Sequence, residues 1–209
     1  IRSSGLETNS ISINQVTRTY LTYTPSVTSV SIPVIIDFHG GAGTAEGQYI
    51  TSNFVEIADS EGIILVYPQA DVRTGSVWNT LHSDEGNKVA NVDDFGFIAA
   101  IIQSLNSNPN IDTSRIYVSG YSNGAAMAYQ VACHLNDRIA GFVVMSGPQE
   151  PHDFQIWIIW GSVRAYFFMI SYFRGFPMGP LFVPIGPPAS YPTLVGLIVK
   201  QVQLVDARA

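Results

Sequence analysis

The chain has 209 residues, 46% of them hydrophobic and 12% charged, which suffices for the buried core of one ordinary globular domain and excludes a disordered chain. Ten Lys and Arg against sixteen Asp and Glu leave a formal charge of −6, so there is no basic field to hold nucleic acid or an anionic lipid surface. One cysteine, Cys133, excludes an intramolecular disulfide framework and a zinc site built on several thiolates.

The opening stretch from Ile1 lacks a basic region followed by an apolar run, so no signal peptide is expected in it, and removal of one from a longer precursor is compatible with this. Val16 to Thr24 is predicted as an early strand. Pro33 to Phe38 is predicted as a buried one, because its Val-Ile-Ile centre shows no alternation. Ala45 to Ser60 follows as a helix, and Gly62 to Tyr67 as a buried strand closed by Pro68. Asp93 to Leu105 reads as a helix whose first turn sets two carboxylates against the macrodipole. Arg115 to Ser119 is a strand, the Ala-rich run Asn123 to Leu135 a helix, and Ile139 to Ser146 a strand ended by Gly147-Pro148. Such strand and helix alternation predicts an α/β fold, a mostly parallel sheet with helices on both faces.

Beyond residue 150 the composition changes. Residues 151–209 hold six of the 26 charged residues but 11 of the 24 aromatics and seven of the 12 prolines. Gln155 to Trp160 reads as one more buried strand stopped by Gly161, after which the prolines leave little room for regular elements. Ile156 to Phe173 is apolar, but Arg164 near its middle argues against a membrane span. The expected organisation is therefore a core over residues 1–150 and an atypical apolar, Pro-rich segment over 151–209, whose break in composition suggests a shifted reading frame or a truncated gene.

The strongest chemical signal is Gly120-Tyr121-Ser122-Asn123-Gly124, a Gly-x-Ser-x-Gly pattern between a predicted strand and a predicted helix. That context holds a serine hydroxyl out at the carboxyl edge of a sheet, with the unpaired N–H groups of a helix start beside it. Ser122 is the expected nucleophile. Phe38-His39-Gly40-Gly41 directly follows a buried strand, where a free backbone N–H can face the nucleophile, so the N–H groups of Gly41 and Asn123 are the expected oxyanion donors. His39 belongs to the donor loop and is expected to shape it rather than to act as a base.

These residues, with Ala58-Asp59, Gly62, Tyr67-Pro68, Trp78-Asn79, Asp93-Asp94-Phe95-Gly96-Phe97 and Asp112 with Arg115-Ile116-Tyr117, resemble the α/β-hydrolases grouped with polyhydroxybutyrate depolymerases and feruloyl esterases, over about residues 16–147. The resemblance implies a serine carboxylic ester hydrolase, secreted or periplasmic. It would act through an acyl-enzyme on small or polymeric hydroxyalkanoate, feruloyl or short-chain acyl esters, with no cofactor, no metal and no nucleic-acid partner. Asp93 and Asp94 are expected to cap a helix rather than serve a triad. Trp78-Asn79 either lines a substrate pocket or anchors a loop. In this architecture the acid and then the histidine follow the serine, yet no histidine follows His152 and the acidic residues after Asp153 reduce to Asp206. The histidines are His39, His82, His134 and His152. His152, after the strand next to the elbow strand, is the candidate base, with Glu150 or Asp153 to orient it. Two classes stay open: an active serine esterase, and a catalytically deficient relative that binds acyl or aromatic ligands.

Overall fold

A computed structural model describes residues 5–26, 31–80 and 92–145. Six strands among these residues form one sheet in the order β1-β2-β4-β3-β5-β6: β1 (Gly5–Ile13), β2 (Val16–Thr24), β3 (Ile32–Phe38), β4 (Ile64–Pro68), β5 (Ile111–Tyr121) and β6 (Gly141–Met145). The pairs β4–β3, β3–β5 and β5–β6 are parallel, and the β1–β2 hairpin joins the edge at β4 in antiparallel fashion. The expected α/β fold is therefore present. Residues 146–209, with the Gln155 to Trp160 strand, the Ile156 to Phe173 stretch, Glu150, His152 and Asp153, lie outside the described residues, as does His82.

Every residue of β3 and β4 is buried, as strands covered on both faces require. Their side chains alternate between two cores. On one face Val34, Ile36 and Phe38 of β3 meet Phe97 and Ile101 of α3 (Asp94–Leu105) and Met127 and Val131 of α4 (Asn123–His134). On the other, Ile35, Leu65 and Tyr67 meet Ala45 of α1 (Ala45–Ser52), and Phe54 and Ala58 around α2 (Val55–Glu61). Burial of one such large side chain is worth about 1.5–3 kcal/mol, so both helix layers are fixed to the sheet.

Several expected boundaries are corrected. The single helix predicted for Ala45 to Ser60 is two, because Asn53 takes φ 51° and ψ 39°, a left-handed conformation that asparagine tolerates, and ends α1. The turn lets Phe54 enter the core, where it is fully buried. Gly62 is not the start of β4 but the left-handed cap of α2, at φ 69°. β5 extends beyond Arg115 to Ser119 in both directions. Strand β1 was not expected; its Ser-Ile-Ser-Ile alternation points Ile11 and Ile13 at the core.

Candidate active site

The order β4-β3-β5-β6 reverses direction at β3. The chain leaves β3 for β4 on one side, and β5 leads on to β6 on the other. In open α/β sheets this switch point opens a crevice at the carboxyl ends of the strands. Phe38, the last residue of β3, pairs with Gly120 of β5, so the segments beginning at His39 and Tyr121 emerge side by side into it.

Ser122 stands between β5 and α4 with φ 54° and ψ −118°, a strained conformation for a residue with a side chain. Its surroundings enforce it. A Cβ on Gly120 would lie 2.2 Å from the carbonyl oxygen of Gly124, and a Cβ on Gly124 would lie 2.2 Å from that of Phe38. Both glycines are thus required by close backbone approach, and the turn between them is too tight to relax. The Ser122 carbonyl accepts the N–H groups of Ala125 and Ala126, which starts α4, while its hydroxyl makes no capping bond. No acidic residue occupies the first turn of α4, so the positive helix end is left uncompensated by its own side chains.

The segment after β3 lies against this turn. A Cβ on Gly40 would be 3.6 Å from Ser122 Cβ, and one on Gly41 would be 3.6 Å from Asn123 Cβ. Within the loop Ala42 donates its N–H to the Ser76 carbonyl and Gly43 to the Gly40 carbonyl. Among the described residues no hydrogen bond engages the N–H of Gly41 or of Asn123. The Gly40-Gly41 segment is thus brought against Ser122 and Asn123 at the carboxyl edge of the sheet.

His39 is fully buried beneath this loop. Its Nε2 accepts the Ala70 N–H at 3.1 Å and its Nδ1 donates to the Gly40 carbonyl at 2.6 Å, an arrangement that fits the neutral ring. Burial, outweighing the bond to Gly40, lowers its pKa below the usual 6.5. With both nitrogens engaged, His39 holds the Gly40-Gly41 loop against Ala70. His134, the other described histidine, lies at the far end of α4 with its ring 5.5 Å from that of Phe95. Neither partners Ser122. In β6, Met145 pairs with Tyr121, the residue before Ser122.

Of the two expected helix caps, Asp93 is one: it accepts the Gly96 N–H at 2.7 Å. For Asp94 the expectation is corrected. Its buried carboxylate pairs with Arg18 at 2.6 Å and accepts the Asn79 N–H at 2.7 Å, which ties β2 and the segment after the 3₁₀ turn Val72–Thr74 to α3. Arg18 also stacks over Phe97, 4.4 Å from the ring centre. Asp37, buried on β3, joins Ser119 of β5 and Gln48 of α1. Trp78 has no exposed surface, which makes it a loop anchor rather than a pocket wall. Among the described residues no three His, Cys, Asp or Glu side chains cluster as a metal site requires, and no helix is long and apolar enough to cross a membrane.

No family model matches the chain. A bifunctional acetylxylan esterase/xylanase of Neocallimastix patriciarum is 32% identical over 127 residues, which is 60% of this chain and 17% of that protein. A protein described as "Probable acetylxylan esterase A" from Aspergillus fumigatus is 29% identical, over 60% of this chain and 33% of its own length. Feruloyl esterase B of Thermothelomyces thermophilus is 27% identical, over 60% and 42%. The match thus spans less than half of each of these relatives. Among solved structures, the acetyl xylan esterase from Aspergillus awamori superposes with a TM-score of 0.51 at 21% identity, covering 68% of this chain and 52% of that one. A thermostable esterase gives 0.56 at 19%, covering 69% and 41%. The described residues therefore carry the α/β-hydrolase fold, and about 60% of the chain is related in sequence to acetylxylan and feruloyl esterases.

Proposed function

We propose that the chain is a serine carboxylic ester hydrolase. The observation that carries this reading is the strained Ser122, locked between Gly120 and Gly124 at a helix start with Gly40 and Gly41 pressed against it. Ser122 Oγ attacks the ester carbonyl carbon and gives its proton to a base. The oxyanion is held by the Gly41 and Asn123 N–H groups; the leaving alcohol takes the proton, and water then releases the acid from Ser122. The base comes from outside the described residues, and His152, oriented by Glu150 or Asp153, is the candidate. No cofactor takes part in these steps.

The relatives support a short acyl group, acetyl before feruloyl, on a carbohydrate alcohol; a hydroxyalkanoate polyester fits the same chemistry. A xylan chain is too large to cross a membrane, which supports work outside the cytoplasm, in a secreted or periplasmic setting. The second reading, a ligand-binding relative with little turnover, is favoured by the engagement of both described histidines elsewhere.

Turnover of p-nitrophenyl acetate by the wild type, Ser122→Ala and His152→Ala separates the readings. The hydrolase reading expects Ser122→Ala at the uncatalysed background and His152→Ala reduced about 10²-fold or more, the range general-base help supplies. A wild type at background overturns it in favour of the binding reading, and turnover retained in Ser122→Ala moves the chemistry to another group.

A further inference from the structure

The two segments that carry the N–H donors belong to different strands and share no backbone ladder beyond Phe38 and Gly120. One buried residue bonds to both. The indole Nε1 of Trp78 donates to the carbonyl of His39 at 2.9 Å, at the root of the Gly40-Gly41 loop. The Trp78 backbone N–H donates to Asn123 Oδ1 at 2.7 Å, on the residue that follows Ser122. Its ring meets Phe38 edge to face at 5.3 Å and is tilted by 38° against His39 at 5.0 Å, so the indole packs against both residues at the root of the loop.

We infer that Trp78 is a positioning residue for the oxyanion donors: its two N–H groups fasten the segment bearing Gly41 to the residue Asn123 and set the distance between the two donors. The inference rests on the hydrolase reading for its consequence in rate, and on the hydrogen bonds alone for its geometry. The segment around Trp78 is itself held at both ends. Ser76 accepts the Ala42 N–H, and Asn79 donates its N–H to Asp94, whose carboxylate is paired with Arg18. Trp78 is therefore a fixed point against which both donor segments are referenced. Donors matched to the oxyanion act mainly in the transition state, and a small misplacement lowers the chemical rate without weakening substrate binding.

Trp78→Phe keeps a ring against Phe38 and His39 but removes the Nε1–H. Asn123→Ala removes the acceptor of the Trp78 N–H and keeps its own backbone donor. With p-nitrophenyl acetate, each variant is expected to lose about tenfold or more in kcat and in kcat/KM, with KM within twofold, a split that loose packing alone does not produce. In amide NMR spectra, Trp78→Phe is expected to move both the Gly41 and the Asn123 signals while the β1–β2 hairpin signals stay in place. A folded Trp78→Phe with kcat within twofold of the wild type, or with the Gly41 and Asn123 amides unmoved, overturns the inference. If Trp78→Phe does not fold, kcat retained in Asn123→Ala overturns it. A wild type without turnover defeats the hydrolase reading, and the amide shifts then decide the positioning claim separately.

Discussion

The β1–β2 hairpin and the edge that carries Ser122 both hold non-glycine residues at positive φ, for different reasons. In the hairpin these are Asn14 at 50° and Gln15 at 66°, the two exposed residues between the paired Ile13 and Val16. A two-residue turn that matches strand twist requires positive φ at both positions, so the conformation is dictated locally. At the candidate site they are Ala42 at 59°, Ser76 at 58° and Ser122 at 54°. Ala42 and Ser76 are bonded to each other, and Ser122 is confined by two glycines whose neighbours leave no room for a Cβ. Each such residue costs about 1–3 kcal/mol and persists because its surroundings over-determine it. Strain in the hairpin is relieved by changing the residue itself, whereas strain at the site is released only by changing what surrounds it.

The largest effect should come from breaking those surroundings. Gly124→Ala drives a Cβ against the Phe38 and His39 carbonyls, and a loss of more than about 3 kcal/mol in urea denaturation, or failure to fold, is expected. A loss under 1 kcal/mol would show that the turn has slack. Next comes Arg18→Leu, which leaves the Asp94 carboxylate buried without its guanidinium; side chains only 5% and 0% exposed predict a loss of about 3–5 kcal/mol. Stability unchanged in that variant would remove the pair from the support of the site.

A smaller effect is set by pH. The folded His39 has a pKa below the 6.5 of the unfolded chain, so the unfolded state binds more protons as pH falls through 6.5. Its contribution is therefore fully present above pH 6.5 and declines below it. Denaturation curves between pH 5 and 8 should show this decline in the wild type and a flatter profile in His39→Asn; equal slopes would contradict the buried neutral ring. The smallest effect belongs to the hairpin, where Gln15→Gly should raise stability by up to about 1 kcal/mol, since glycine takes φ 66° without penalty. A loss there would mean that the Gln15 side chain holds the turn.

Much of this edge is legible in the amino-acid order. Gly120 and Gly124 announce the turn because only glycine fits two residues either side of Ser122, and the β-branched runs of β3 and β4 announce strands covered on both faces. Asp94 was not legible, since its partner Arg18 is 76 residues away and a carboxylate at a helix start reads locally as a cap. The clamp at Trp78 was hidden for the same reason: its acceptors, His39 and Asn123, meet it only through the sheet order. The break between α1 and α2 was hidden because Asn53 gives a weaker stop signal than glycine or proline.

The central claim, that Ser122 is an activated nucleophile facing two backbone donors, is tested most directly by treating the full chain with a fluorophosphonate and locating the adduct by mass spectrometry. The account predicts one adduct, on the peptide containing Ser122, formed far faster than on Ser119 and lost in Ser122→Ala. An unmodified Ser122, or an adduct on another serine accompanied by ester turnover, would contradict it.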